Sequence, residues 1–133
     1  MVFFECPGAV VTWDEDVRCV ELQFRGFIEG ADLRNACLGV LTLLTSKNAS
    51  KVLTDSRDLK PLRPEDQQWI DVEWQQQAKT TGLAFNALVL PKSAVAKLTV
   101  NSVMKKIQVK QIEVAYFSSV NEAKDWLRSK PRG

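Results

Sequence analysis

Between Val17 and Leu44 the spacing of apolar residues changes period, and this change constrains the fold more than any single motif. In 17–25, Val20, Leu22 and Phe24 alternate with Glu21, Gln23 and Arg25, the two-residue repeat of a strand with one buried face. After Gly26-Phe27-Ile28-Glu29-Gly30, the residues Leu33, Ala36, Cys37, Val40, Leu41 and Leu44 recur at helical spacing. The same succession repeats downstream. Val52 and Leu53 form a short strand bounded by charge, and Trp69, Ile70, Trp74 and Ala78 give a second helical stripe. Pro64 suits the first turn of that helix, where its missing N–H costs nothing, and Glu65 and Asp66 suit its positive end. The nearly continuous apolar run 84–90 reads as a strand buried on both faces, closed by Pro91.

The flanks complete the pattern. Residues 8–13 read as a first strand, joined to 17–25 by Asp14-Glu15-Asp16 in an antiparallel hairpin. Residues 92–110 read as a weak helix, with a partial stripe of Val95, Leu98 and Val103. Residues 112–117 read as the last strand. Ser119-Val120-Asn121-Glu122 is a capping-box pattern before a helix whose buried face is Ala123, Trp126 and Leu127. The predicted order is ββαβαβαβα: a single α/β domain over 1–133, with a mixed, mostly parallel sheet of about five strands and about four helices. A basic tail, 129–133, is expected to fray.

Composition narrows the function. A chain of 133 residues buries about two thirds of its unfolded surface and needs no disulfide or metal to fold. The net charge of +2 is too small to imply nucleic acid. No apolar run approaches the roughly 18 residues of a membrane helix, and the start lacks a signal-peptide pattern, so the expectation is a cytoplasmic protein without integral membrane association. Cys6, Cys19 and Cys37 are widely spaced, the last two at apolar positions, and read as inert thiols. Histidine is absent, which removes Ser-His-Asp triads, Cys-His pairs and His-bearing zinc sites.

The stretch 51–66 is the leading candidate site, because ligands of open α/β sheets are met at the carboxyl ends of strands. Asp55, Ser56, Arg57 and Asp58 crowd this strand end. They read either as a site for a polar ligand or a partner's charged loop, or as a turn in which Asp55 accepts backbone bonds and Arg57 pairs with Asp58 or Glu65. Trp69 and Trp74, five residues apart, lie on different parts of a regular helix, one inward and one partly exposed. Glu65 and Asp66 are explained by the helix start without catalysis. Lys97, Lys105, Lys106 and Lys110 form a basic cluster with no interleaved aromatic residue, so base stacking is not expected.

Three groups of residues resemble one family. These are Val52-Leu53-Thr54-Asp55-Ser56-Arg57 followed by Glu65-Asp66-Gln67-Gln68-Trp69; the Trp13 strand with the Phe24-Arg25-Gly26 strand end; and the closing Phe117-Ser118-Ser119-Val120-Asn121-Glu122-Ala123-Lys124-Asp125-Trp126-Leu127. In this order the chain is similar to the SpoIIAA-like (STAS/SEC14-like) group within the STAS-domain fold of bacterial anti-sigma factor antagonists. Those antagonists carry an Asp-Ser-Ser-Gly turn before the second helix, whose serine is phosphorylated. Here Arg63-Pro64-Glu65-Asp66 stands at that turn, with no hydroxyl to modify. The resemblance therefore implies the fold without the phosphorylation switch.

The expected function is a non-enzymatic regulatory or protein-interaction module. It would use the loop before Asp66 and the exposed side of the next helix, with Asp55, Ser56, Arg57, Asp58, Trp69 and Trp74 as its binding residues and with no metal or cofactor. The alternative is a small-ligand protein, holding a lipid or other apolar molecule between the sheet and the Trp69/Trp74 helix, with 95–110 as a lid. Self-association through an apolar edge strand or an exposed Trp74 is a further expectation.

Overall fold

The structure is a computed structural model that describes residues 2–92, 94 and 112–131. Its sheet has six strands in the order β1 (Val2–Cys6), β2 (Ala9–Asp14), β3 (Cys19–Gly26), β4 (Lys51–Leu59), β5 (Phe85–Val89) and β6 (Glu113–Phe117). The first three strands form an antiparallel meander, and β3 to β6 run parallel. Among the described residues the helices are α1 (Gly30–Ser46), α2 (Pro64–Trp69), a π turn (Ile70–Trp74), α3 (Gln75–Ala78) and α4 (Val120–Arg128). None of them is long and apolar enough to cross a membrane.

Strand alternation divides the core in two. Ala9, Val11, Trp13, Val20, Leu22, Phe24 and Val52 point to one face and pack with Leu33, Ala36, Val40 and Leu44 of α1 and with Trp74 and Ala78. Cys19, Leu53, Ala87 and Val89 point to the other face and pack with Ala123 and Leu127 of α4. All six apolar positions of the α1 stripe are buried, as their spacing requires. The β2–β3 turn closes because the Val17 N–H donates to the Asp14 carboxylate at 3.0 Å and Arg18 takes a left-handed φ of 59°. The Glu122 N–H donates to Ser119 Oγ at 3.1 Å, so the expected cap of α4 is formed.

Three expectations are corrected. The sheet has six strands rather than about five, because Val2–Cys6 forms β1. This segment has no alternation to reveal it, since among the described residues it pairs with β2 alone and leaves Val2, Phe3 and Glu5 exposed. β4 does not stop at Leu53. It pairs with β3 through Leu59, and one extra residue, at Ser56-Arg57 opposite Phe24, bends it without ending it. The run 84–90 is not buried evenly on both faces: Ala87 and Val89 are buried, while Asn86 and Leu88 on the opposite face are half-buried.

The expected helix at 92–110 and its lysine cluster lie outside the described residues, apart from Lys92 and Ala94. In the expected tail, Lys130 pairs with Glu113 at 3.0 Å, sits 5.0 Å over the Trp126 ring, and accepts Lys51 Nζ on its carbonyl at 3.0 Å.

Candidate interaction site at the ends of the parallel strands

The carboxyl end of β4 carries Asp55, Ser56, Arg57 and Asp58. Asp55 is buried, and its carboxylate is occupied. Oδ1 accepts the Arg57 N–H at 3.2 Å and Arg57 Nε at 3.0 Å, and Oδ2 accepts Arg57 Nη2 at 2.9 Å. This two-point bond, made by a planar fork to a carboxylate, fixes the guanidinium in direction as well as in place. The Arg57 side chain remains 44% exposed. Its pKa is raised first by the Asp55 hydrogen bond, then by the charges of Asp55 and Asp58. Ser56 is buried. Asp58 is exposed and stands opposite Arg25 of β3, which itself pairs with Glu5 at 3.3 Å. Thus Asp55, Arg57 and Asp58 do come together, with Asp55 as the inner support and Arg57 and Asp58 as the surface.

The two tryptophans face α1. Trp69 is half-buried under the Arg34 guanidinium, 5.5 Å from the ring centroid. Trp74 is buried in the core, where its Nε1–H donates to the Cys37 carbonyl at 2.8 Å, so it offers no binding surface. The expected split in burial is present, Trp74 inward and Trp69 partly exposed, but the two rings lie on one side of the helix rather than on different parts of it, for a geometric reason. In an α-helix, residues five apart are about 140° apart around the axis. The π turn at Ile70–Trp74 uses i→i+5 bonds, which bring the fifth residue back to nearly the same side.

Asp66 is the residue whose role the sequence conceals. It has no exposed surface, and it accepts Arg63 Nε at 2.9 Å and the Gly30 N–H at 3.2 and 3.3 Å. Instead of serving only its own helix end, it caps the first turn of α1, where Gly30 takes a φ of 58° that L side chains rarely adopt. The Arg63 hydrogen bond lowers the Asp66 pKa against the opposing effect of burial, and the Gly30 N–H adds to the lowering. Arg63 also reaches Glu29 at 3.4 Å. The one sequence sign of this clamp is the single-turn spacing of Arg63 and Asp66.

Other groups have structural explanations. Burial alone would raise the Asp14 carboxyl, but the Val17 N–H and Lys124 hold it below its ordinary value. Lys124 sits 2.9 Å from Asp14 and 3.7 Å from Glu21, tying α4 to the hairpin. Burial pushes the Cys19 and Cys37 thiols up to about 12. Among the described residues, no three His, Cys, Asp or Glu side chains converge as metal ligands. A groove of about 590 Å³ lies between the end of α1, at Thr42 and Thr45, and Gln76, Gln77 and Thr80. It is lined by uncharged side chains and is not the expected space between helix and sheet, where Trp74 and Ala78 pack.

No protein-family model matches the chain, and the comparison with curated proteins gives no match. Among solved structures, the chain is similar to an uncharacterized protein of the DUF3478 family with a SpoIIAA-like fold from Shewanella loihica PV-4. The two share 15% identity and superpose with a TM-score of 0.63 over 90% of this chain and 91% of the other. The chain therefore has a SpoIIAA-like α/β fold, the architecture that its motif order implies.

Proposed function

We propose that this chain is a non-enzymatic regulatory or protein-interaction module of the STAS type that acts in the cytoplasm without a phosphorylatable turn. The observation that carries this reading is the Asp55–Arg57 pair. The buried Asp55 carboxylate engages two of the five guanidinium donors, and the side chain that carries the other three is 44% exposed at the carboxyl end of β4. A side chain pre-oriented in this way loses less freedom when it meets a partner's carboxylate or carbonyl. Asp58 beside it adds the opposite charge, so the pair favours a partner loop carrying both signs over a simple anion. Trp74 in the core, with its N–H already bonded, supports this reading over an apolar-ligand pocket behind α2.

The test is affinity capture with the intact chain from the organism that makes it, beside Arg57→Glu and Asp58→Lys variants of unchanged circular dichroism. A partner retained by the unmodified chain and lost by both variants is expected. Retention that is indifferent to both substitutions rules the surface out.

A further inference from the structure

We propose that Phe27 is the apolar anchor of the Arg57–Asp58 surface, and that its partner is a protein segment presenting an apolar side chain together with charges of both signs. The inference rests on the function proposed above and adds to it the residue that supplies contact area. Phe27 is 51% exposed, one of the four exposed large hydrophobic residues among those described. It follows β3 at the same end of the sheet. The Lys60 N–H donates to the Gly26 carbonyl at 3.0 Å, so the Gly26–Phe27 peptide lies beside the chain that leaves β4. Asp58 stands opposite Arg25, two residues before Phe27.

The backbone fixes this exposure. Gly26 takes a φ of 69°, which turns the chain out of β3. The next residue, Ile28, is buried, and a Cβ on Gly8 would lie 2.7 Å from Ile28 Cβ and 2.9 Å from the Phe27 carbonyl. The loop is thus seated on Gly8, and its far end is held where the Gly30 N–H meets Asp66. A ring carried on a backbone held at both ends loses little freedom when a partner covers it. Phenylalanine and arginine are both enriched where proteins meet.

The charges select the occupant. Asp58 and Lys60 are exposed, and neither is in an ion pair among the described residues. An apolar anchor with an available charge of each sign beside it fits a protein segment that carries both. An anionic bilayer or a nucleic-acid backbone would meet the exposed Asp58 and Glu29 carboxylates.

The experiment is affinity capture by the full chain from the organism that makes it, beside Phe27→Ser, Phe27→Leu, Arg57→Glu and Val2→Ser, at a temperature where every chain is fully folded. Co-sedimentation with phosphatidylglycerol vesicles runs in parallel. The protein lost with Arg57→Glu is expected to fall by about tenfold or more with Phe27→Ser as well. Phe27→Leu keeps an apolar side chain and retains the partner. Val2→Ser also retains it, because Val2 is exposed toward the opposite end of the sheet, across β2 from Glu21. Loss with Arg57→Glu but not with Phe27→Ser overturns this inference and leaves the Arg57 reading standing. Retention by both variants, or no partner at all, overturns both. Vesicle binding by the unmodified chain that Phe27→Ser abolishes overturns the choice of a protein partner.

Discussion

Asp55 holds Arg57 by a two-point bond, Nε to Oδ1 at 3.0 Å and Nη2 to Oδ2 at 2.9 Å, with the carboxylate buried and the guanidinium half in water. The two members are unequal. Removing Arg57 leaves a buried carboxylate with one backbone N–H, whereas removing both members leaves no buried charge. Arg57→Ala is expected to destabilise by about 1–2 kcal/mol, at the low end of a charged hydrogen bond because the guanidinium is exposed. The Asp55→Ala, Arg57→Ala double variant loses less than the sum of its parts. Urea denaturation of the four chains in the cycle measures this, and strict additivity would show that the pair is not coupled.

The Asp66 clamp predicts an acid limb of stability. Its folded pKa lies below the ordinary 3.8, so its contribution is complete above that pH and is lost as pH falls through the folded value. Asp14, also lowered, acts in the same direction. Asp66→Asn should reduce stability at neutral pH and make the decline below 3.8 shallower. Denaturant midpoints across that range report it, and an unchanged acid slope would contradict the clamp.

The tryptophans separate by burial. Trp74→Ala opens a core cavity and orphans its place beside the Cys37 carbonyl, which predicts a loss of about 3–5 kcal/mol. Trp69→Ala removes a half-buried ring and one cation–π contact, and costs less than half as much. Deleting Val72 turns the π step into a regular α turn and keeps both rings facing α1, so the fold should survive. Thermal melts of the three variants rank them.

The thiols give a simple count. With Cys19 and Cys37 pushed up to about 12 by burial, neither supplies thiolate near neutral pH, whereas Cys6 is half-exposed. A chromogenic disulfide reagent should titrate Cys6 alone in the native protein and all three cysteines in denaturant. Rapid native reaction of Cys19 or Cys37 would contradict the packing.

Much of this fold is legible from periodicity, because burial on one face leaves a repeat. Leu33, Ala36, Cys37, Val40, Leu41 and Leu44 mark α1, and Ser119 with Glu122 marks the start of α4. What escapes notice has no repeat to leave. β1 is half-exposed at an edge, and the strand character of Asp55 to Leu59 hides behind charged residues whose partners lie on β3. The π turn has no sequence period of its own, so Trp69 and Trp74 look divergent until the backbone places them on one side. At the site, the crowding of Asp55, Arg57 and Asp58 can be read from sequence, but not the burial of Asp55 that turns a charged turn into a support for Arg57. Asp66 is the clearest case, a carboxylate whose most telling bond crosses to Gly30, far away in sequence.

We propose that the Arg57–Asp58 surface, held in place by Asp55, meets a protein partner. The most direct test is quantitative capture by the intact chain and by Arg57→Glu, with folding of both confirmed by their melting transitions. A partner whose recovery falls by about tenfold or more with Arg57→Glu, at a temperature where both chains are fully folded, is expected. Equal recovery by both chains, or no partner for either, would contradict it.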